Sequence, residues 1–301
     1  MNELFGELDE QARFEEFKDH PNESVRRELV YTLTDENLIH TFKDDSDWSV
    51  RQAVVDKLSD TDELLRIFKD DPVWNVRLSV VRKVYNEQHD EQAIFNAFKD
   101  DEDVSIRLAV FDRLSDENLI YAFKDDPHGE VRKGVVNKLS DEQVIFENFK
   151  DDPDSNVRHL VVKKLCKLSD EQLIFETFKD DPNALVRAEV VNKLSDEQLI
   201  FETFKDDESY AVRGAVLHAV SDEQINEQTL FDAFKNEPYW LNRKRLVDKL
   251  SDERLLQTFK NDPDEHVRDA VAEKLSEMST QDYTEFSDAL AELSNESLNL
   301  Q

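Results

Sequence analysis

The sequence has one cysteine, four glycines and no long apolar run. The single cysteine, Cys166, excludes an intramolecular disulfide framework and favours a reducing compartment. With so few glycines, we expect no glycine-rich loop that cradles phosphate groups. No segment approaches the roughly 18 consecutive apolar residues of a membrane span, and residues 1–5 lack the charged and apolar regions of a signal peptide. We therefore predict a cytoplasmic protein.

Basic residues are the minority among many charged ones. Lys and Arg number 38 against 70 Asp and Glu, which gives a formal net charge of −32. Such a field repels nucleic acid phosphates and anionic lipids and attracts basic proteins. The hydrophobic content of 39%, with 19 Phe, is too high for a solvated acidic tail. The chain can therefore bury a core, and we expect no direct binding to nucleic acid or membrane.

Motifs of catalysis and metal binding are also missing. The seven histidines show no His-x-x-x-His spacing of a zinc site. The Asp-rich segments lack the Gly and the terminal Glu of a calcium loop. We predict a protein that is not an enzyme, with no catalytic residues, no metal and no cofactor.

What the sequence does contain is a repeat. A Phe-Lys pair occurs ten times, successive copies lie 25 to 30 residues apart, and an Arg follows each Phe at a distance of nine residues. Residues 169–181 recur letter for letter as residues 195–207. The ten arginines are Arg26, Arg51, Arg77, Arg107, Arg132, Arg158, Arg187, Arg213, Arg243 and Arg268. A period of this length indicates stacked supersecondary units.

Each unit reads as two helices. The first opens with Ser-Asp-Glu-Gln, as at residues 140–143 and 195–198, which predicts a capping box formed by Ser and Gln. The second starts at an Asp-Pro pair, as at Asp152-Pro153, with the Asp as the expected cap. Around Arg132, apolar Val131, Val135 and Val136 form one stripe on the second helix. Neither helix can hide its apolar face alone, so we expect neighbouring units to stack.

The unit Phe-Lys-Asp-Asp-Pro-x-x-x-Val-Arg-x-x-Val-Val-x-Lys-Leu resembles the HEAT repeat. It is most similar to the short bacterial kind and to the related leucine-rich-repeat variant, over about residues 8–275. The resemblance implies an all-α fold, an α-solenoid in which ten helical hairpins form a right-handed superhelix with a C-terminal capping helix. We place the solenoid at 1–279 and the capping helix with a frayed tail at 280–301. The usual role of the family is to bind proteins on an extended surface, although fold alone does not transfer function.

The resemblance also implies a ladder of charged pairs. In HEAT repeats an Asp in the interhelix turn and the Arg six residues later connect successive units. His20 and Glu237 replace the Asp in repeats one and nine, so we expect the ladder to be weakened at Arg26 and altered at Arg243. The pairs with the six-residue offset are Asp45 with Arg51, Asp71 with Arg77, Asp101 with Arg107, Asp126 with Arg132, Asp152 with Arg158, Asp181 with Arg187, Asp207 with Arg213 and Asp262 with Arg268.

Two sets of residues are candidates for partner binding. Three positions before the Arg, where most repeats carry small or polar residues, there are four aromatic ones, and a fifth is adjacent to one of them; these are Trp48, Trp74, Tyr210, Trp240 and Tyr239. Trp and Tyr dominate binding hot spots, and half-buried packing against the next repeat is the alternative. The second set is the acidic pairs at hairpin turns, such as Asp125-Asp126 and Asp206-Asp207, for which helix capping is the alternative.

In most repeats a second basic residue lies six positions after the Arg. We call these residues the second basic column. Its members are Lys57, Lys83, Arg113, Lys138, Lys164, Lys193, Lys249 and Lys274. In HEAT-like solenoids the second helix lines the concave side, so this column could track phosphates, as in HEAT-like DNA glycosylases. Lysines that extend along the flank of a buried stripe are the simpler interpretation.

Three functions fit the pattern. Our leading hypothesis is a non-catalytic protein-binding scaffold or inhibitor that holds a basic partner protein on an acidic repeat surface. The first alternative is a nucleic-acid mimic, an immunity or anti-restriction protein that acts against a DNA- or RNA-binding enzyme. The second alternative is a HEAT-like DNA-processing enzyme.

Overall fold

A computed structural model describes residues 8–165, 171–221 and 224–280. Within these ranges the chain forms twenty α-helices and no strand, and no helix there is long and apolar enough to cross a membrane. The first helices of the ten hairpins are α1 (Glu10–Phe17), α3 (Glu36–His40), α5 (Thr61–Phe68), α7 (Glu91–Phe98), α9 (Glu117–Tyr121), α11 (Glu142–Phe149), α13 (Glu171–Phe178), α15 (Glu197–Phe204), α17 (Glu227–Phe234) and α19 (Glu253–Gln257). The second helices are α2 (Glu23–Thr32), α4 (Trp48–Lys57), α6 (Trp74–Gln88), α8 (Val104–Arg113), α10 (Gly129–Lys138), α12 (Ser155–Lys164), α14 (Ala184–Lys193), α16 (Tyr210–Ala219), α18 (Trp240–Lys249) and α20 (265–280). The fold is an α-solenoid, as predicted.

The chain forms two compact units, unit 1 (Met1–Asn148) and unit 2 (Phe149–Gln301). In unit 1 the second helices α2, α4, α6, α8 and α10 pack in succession. In unit 2 the helices α12, α14, α16 and α18 do the same. Most first helices also pack on the second helix of their own hairpin. The second helices therefore form a continuous layer in each unit.

The core consists of the predicted apolar positions. The Phe of the Phe-Lys pair is buried in every repeat from the second to the tenth. Around Arg132, the side chains of Val131, Val135 and Val136 are fully buried. Phe rings of successive first helices meet edge to face, as do Phe95 and Phe123, whose centroids lie 5.7 Å apart. Burial of each such side chain contributes about 1.5–3 kcal/mol, so stacking supplies the main stabilisation.

The first helix is short in repeats two, five and ten. It has five residues there and eight in the other repeats. In these three repeats the segment from the capping Asp to the Phe is one residue shorter, and the Phe N–H donates to the carbonyl three residues earlier, as Phe42 does to Ile39 at 3.1 Å. Such a 3₁₀-type turn winds more tightly than an α-helix. The tighter turn compensates for the missing residue, and Phe42 still reaches the core.

The serine of Ser-Asp-Glu-Gln does not cap the first helix, so the predicted capping box is wrong. In repeat eight Asp196 is the cap, and it accepts the N–H of Leu199 at 2.9 Å. The hydroxyl of Ser195 donates instead to Glu171 of the preceding repeat at 2.9 Å. The same Glu carboxylate accepts the N–H of Ser195 at 2.8 Å. The motif therefore connects consecutive repeats as well as starting a helix.

The second helices begin two residues later than predicted. In repeat six the cap is Asp154, which accepts the N–H of Asn156 at 2.8 Å. Asp152 accepts the N–H of Asp154 at 2.8 Å and so belongs to the turn before the helix. Pro153 lies in the same turn. The Asp of the Asp-Pro pair is therefore a turn residue, and its carboxylate takes part in the ladder described below.

Three spacings between successive Phe-Lys pairs are longer than the rest, at 29 or 30 residues, and place insertions near residues 86–90, 166–168 and 225–229. The insertion near residues 86–90 lengthens α6 to fifteen residues, and His89 ends this helix with a left-handed backbone (φ 53°). The insertion near residues 166–168 lies outside the described residues. Helix α20 continues to residue 280. The capping helix and tail beyond that point lie outside the described residues, and the boundary at 279/280 stays a prediction.

Candidate functional site

The arginines that follow each Phe by nine residues pair with a carboxylate of the following repeat. Arg107 shows the geometry: its Nε and Nη2 donate to the two carboxylate oxygens of Asp126 at 2.7 and 3.0 Å. Its Nη1 donates to the backbone carbonyl of Asp101, in the turn of its own repeat, at 2.8 Å. The pairs are Arg26–Asp45, Arg51–Asp71, Arg77–Asp101, Arg107–Asp126, Arg158–Asp181, Arg187–Asp207, Arg213–Glu237 and Arg243–Asp262. Each arginine therefore joins its own turn to the next repeat.

This forward pairing corrects two details of the predicted ladder. Arg26 is paired with Asp45, so the ladder is not weakened there, and His20 contributes only its backbone carbonyl. Glu237 alters the ladder at Arg213, whereas Arg243 pairs with Asp262. Arg132 and Asp152 occupy the same positions of their repeats and are buried. At the last repeat, Arg268 donates to the carbonyls of Asp262 and Pro263 and, among the described residues, to no carboxylate.

In the ladder the pKa of Arg77 is raised and the pKa values of Asp207 and Glu237 are lowered, in each case toward the charged form. The hydrogen bond to Asp101 raises the pKa of Arg77. Burial alone would raise the pKa of Asp207 and of Glu237, but the hydrogen bonds from Arg187 and Arg213 outweigh it and hold both pKa values below their ordinary range. Buried bidentate pairs of this kind are expensive to break, at about 3–5 kcal/mol. The ladder is thus a structural element, and its arginines are not a free anion site.

The ladder uses one acid of each pair at the hairpin turns. The side chain of Asp125 is 84% exposed, whereas that of Asp126 is 3% exposed and is held by Arg107. The pair in repeat eight divides in the same way: Asp206 is exposed, and Asp207 is held by Arg187. The predicted partner contacts therefore reduce to Asp125 and Asp206, because the carboxylates of Asp126 and Asp207 face the core of the ladder. The two acidic pairs offer a partner half the charge that the sequence indicates.

The second basic column is engaged with the backbone. Its lysines donate to carbonyl groups at the C-terminal end of the preceding second helix. Lys138 shows this most fully, since its Nζ donates to the carbonyls of Phe111 and Leu114 at 2.8 Å each. Lys249 donates to the carbonyl of Val220 at 2.7 Å. The last carbonyls of a helix lack most of their intrahelical donors, and the lysine ammonium groups donate to them; the carbonyl of Phe111 also accepts the N–H of Leu114 at 3.1 Å. This function was missed in the sequence.

The turn of repeat four has two exposed acids and lies between turns that each expose one. We call residues 99–103, between α7 and α8, the repeat-four turn. The chain's seven prolines all follow the ladder position of a turn; of the three repeats without one, repeat two has Ser46 and repeats four and eight have Glu102 and Glu208. The side chains of Asp100 and Glu102 are 83% and 87% exposed. The missing proline was the sequence signal for this site, and the sequence interpretation did not use it.

Two shallow grooves border the repeat-four turn. The groove toward repeat five has a volume of about 450 Å³, and the one toward repeat three about 330 Å³. Asp100 and Glu102 line both grooves. Within the ranges that the structure describes, no cluster of three or more His, Cys, Asp or Glu side chains could hold a metal ion. The carboxylates are spread along an edge of unit 1.

The aromatic residues of unit 1 are open to solvent. Trp48 and Trp74 are the first residues of α4 and α6, which pack against each other. They are 39% and 44% exposed. Neither indole packs against another ring among the described residues. Both follow directly on acidic turns, whose exposed residues include Asp70.

The aromatic residues of unit 2 pack on one another. The ring of Tyr239 lies 4.4 Å from that of Tyr210 and 6.2 Å from that of Trp240, and the Trp240 ring lies 5.0 Å from that of His266. Trp240 and Tyr239 are half-buried, and only Tyr210 is largely exposed. Of the three tryptophans, Trp240 packs against two neighbouring rings, whereas Trp48 and Trp74 pack against none among the described residues.

Repeat nine departs from the consensus because of its contact with repeat eight. Asn242 replaces the usual apolar residue and is fully buried. Its Nδ2 donates to the carbonyl of Tyr210 at 2.8 Å, and its Oδ1 accepts from Arg245 at 3.2 Å. A Cβ atom on Gly214 would lie 2.6 Å from this Oδ1. Gly214 therefore leaves the space that the buried amide requires.

Comparison with known proteins identifies a similar repeat structure. A solved protein described as a leucine-rich repeat variant with a novel repetitive protein structural motif matches with a TM-score of 0.55 and 25% identity. The match covers 76% of this chain and 87% of that one. No family model matches the chain, and no curated protein matches its sequence. The chain is thus a helical repeat protein similar to the leucine-rich-repeat variant that the sequence pattern resembles.

Proposed function

We propose that this chain is a non-catalytic protein-binding scaffold that holds a basic partner protein on the exposed carboxylates of its hairpin turns. The binding surface is centred on the repeat-four turn in unit 1. Trp48 and Trp74, in repeats two and three, are aromatic anchors for the same partner. Because the partner's basic surface would be covered, binding would also inhibit any activity that uses that surface.

The exposed carboxylates of the repeat-four turn carry this proposal. Asp100 and Glu102 project into solvent, and Asp70 and Asp125 are exposed on the turns of the two neighbouring repeats. Four such groups along one edge, in a chain of net charge −32, accelerate the encounter with a cationic surface and orient it. The lysine before each Asp offsets part of this charge, but exposed pairs of this kind contribute only about 0–1 kcal/mol. A partner's cations can therefore compete with these lysines.

The two alternatives have less support. Packed helices lie about 8–10 Å apart, so the one or two exposed acids per turn give a mean charge spacing wider than the ~3.4 Å per phosphate of one DNA strand. This spacing argues against a nucleic-acid mimic. The basic column of a DNA-processing enzyme would have to release backbone carbonyls, such as that of Val220 bound by Lys249, before it could bind phosphates.

A binding titration with a matched charge control tests the proposal. The probe is a fluorescent arginine-rich peptide, and the variants are the double change Asp100→Asn with Glu102→Gln and the control double change Glu16→Gln with Asp62→Asn. Glu16 and Asp62 are exposed acids of unit 1 on α1 and α5, away from the repeat-four turn. We expect about a tenfold loss of affinity in the first variant and less than about a twofold loss in the control, at about 150 mM salt.

Two outcomes would overturn the proposal. An equal loss in both variants would mean that net charge alone attracts the peptide. Tight binding of duplex DNA by the unmodified chain at about 150 mM salt would favour the DNA-processing alternative, because non-specific attraction to DNA is weak in a protein of this charge.

A further inference from the structure

The two grooves beside the repeat-four turn combine acidic and apolar surface. In the groove toward repeat five, Asp100, Glu102 and Asp125 supply carboxylates, and Ala122, Phe123 and Pro127 supply apolar surface. In the groove toward repeat three, Asp70 joins Asp100 and Glu102, and Pro72 and Ala97 supply the apolar part. A side chain with an aliphatic stem and a cationic head matches this combination. Lysine and arginine are the amino acids with that structure.

Each groove already contains a cation of the chain itself. The Nζ of Lys99 lies 2.7 Å from a carboxylate oxygen of Asp100, and the Nζ of Lys69 lies 3.7 Å from one of Asp70. The side chain of Lys99 is 42% exposed and that of Lys69 is 48% exposed. These contacts show that the carboxylates accept an ammonium group in this geometry. They also make the two lysines competitors of any cation that arrives from outside.

Arg77 and Arg107 also line the grooves, but their charge is already compensated. Arg77 is held by both oxygens of Asp101, and Arg107 by both oxygens of Asp126. The net charge left for a ligand is therefore that of the exposed acids, reduced by Lys69 and Lys99. Glu102, at 3.7 Å from Arg77, remains 87% exposed.

The spacing of the grooves restricts the conformation of a ligand that fills both. The second helices α6, α8 and α10 pack in succession, so equivalent points on consecutive turns lie about 8–10 Å apart. A polyproline-II segment rises ~3.1 Å per residue with three residues per turn, and it presents every third side chain on one face at ~9.3 Å. A β-strand presents every second side chain at about 6.6 Å and does not match.

We propose that the two grooves bind consecutive basic side chains of a polyproline-II segment in the partner, with Arg or Lys at every third residue. This inference rests on the proposed function and specifies the partner at the same surface. Asp100 and Glu102 lie between the two bound cations and contact both. Lys69 and Lys99 move aside when the segment binds.

Two peptides of equal composition test the spacing. One carries arginines at every third position, separated by proline and serine, and the other carries the same arginines side by side. We expect the full-length protein to bind the spaced peptide about fivefold more tightly, and this preference to disappear in the variant with Asp100→Asn and Glu102→Gln. The fold-change corresponds to about 1 kcal/mol, the size of one well-placed exposed charge pair.

Removal of Lys99, the lysine that competes with the ligand, tests the grooves by an expected gain in affinity. Lys99→Ala should raise the affinity for the spaced peptide about threefold, because a charge pair that competes with the ligand is lost. The control is Lys235→Ala in unit 2, which makes the same change in net charge at an exposed lysine paired with Asp232. The control should change the affinity by much less.

The outcomes separate this inference from the proposed function. Equal binding of both peptides, still lost in the Asp100 and Glu102 variant, would overturn the spacing and leave the proposed function standing. Equal gains in Lys99→Ala and Lys235→Ala would overturn the role of the grooves. Peptide binding that is unaffected by Asp100 and Glu102 would overturn both proposals.

Discussion

The turns of repeats four and eight share a local change but have different surroundings. Both replace proline with glutamate, and both expose an additional carboxylate, Glu102 in one and Glu208 in the other. Repeat four lies between turns that expose Asp70 and Asp125. The repeat that follows repeat eight has Asn236 at that position. The same substitution therefore brings the exposed turn acids around it to four in unit 1 and to three in unit 2, where Asp180 and Asp206 accompany Glu208.

The aromatic residues of units 1 and 2 also differ in their surroundings. Trp48 and Trp74 in unit 1 present open indoles, whereas Trp240 in unit 2 is enclosed by Tyr239 and His266. The buried Asn242 contacts the backbone of Tyr210 beneath this cluster. Unit 1 thus leaves Trp48 and Trp74 without a ring partner among the described residues, whereas unit 2 packs Trp240 against neighbouring rings and leaves Tyr210 53% exposed. Position in a repeat does not by itself decide whether a side chain binds or packs.

The largest expected effect concerns the ladder of arginines and carboxylates, which both units contain. Arg107→Ala in unit 1 and Arg187→Ala in unit 2 should each lower the free energy of unfolding by about 3–5 kcal/mol, because each leaves a buried carboxylate without its partner. Urea unfolding measures this. Arg66→Ala, at a side chain that is 72% exposed, is the control and should change stability by less than about 0.5 kcal/mol. A clear difference between the two units would show that the ladder is not equivalent along the chain.

The next effect separates the tryptophans. Trp240→Ala should destabilise the protein by about 3 kcal/mol, as removal of a packed aromatic side chain does. Trp48→Ala and Trp74→Ala should cost less than half of that, because the two residues are 39% and 44% exposed and pack against no other ring among the described residues. Each should weaken peptide binding instead. Thermal unfolding of the three variants checks the order. If Trp74→Ala melts as low as Trp240→Ala, the contrast between open and packed aromatic residues does not hold.

A smaller effect is expected for a glycine that lies close to a side chain of a neighbouring repeat. Each unit contains one such pair of positions. Gly134→Ala should cost about 2 kcal/mol, since the added Cβ would lie 2.5 Å from the ring of Phe111. The double change with Phe111→Val should recover most of that loss. In unit 2 the corresponding pair is Gly214→Ala with Asn242→Val. Double-mutant cycles from urea unfolding would show additive losses if these contacts are not coupled.

The smallest effect is expected in mild acid. The pKa values of Asp207, Glu237 and Asp262 are lowered by their arginine partners against the effect of burial. A carboxylate with a lowered folded-state pKa contributes its full stability above its unfolded pKa and loses it as the pH falls through the folded value. Stability should therefore be nearly constant above about pH 5 and begin to fall gradually below about pH 4. Urea midpoints across this range measure it, and a rise in stability on acidification would contradict it.

The sequence predicted the hairpins, their number and their apolar stripes because the repeat occurs ten times with little variation. It misplaced the contacts between repeats. Ser195 and Asp152 were assigned to caps within one repeat, but each faces a neighbour or a turn. A motif shows which residues recur, but not whether a side chain bonds within its own repeat or with the next one. Exposure is equally invisible at the level of the motif, because Asp125 and Asp126 are adjacent and identical and only one of them is buried.

The contacts between repeats also bear on how such a chain can change over generations. Arginine to carboxylate, glutamate to serine and lysine to carbonyl form the same set at junction after junction. A copy of a whole repeat can be inserted or lost at such a junction without redesign of its neighbours. The identical residues 169–181 and 195–207 are what recent copying of a repeat leaves. The junctions of Phe111 with Gly134 and of Gly214 with Asn242 break this freedom. Those neighbours must be inherited together and in order.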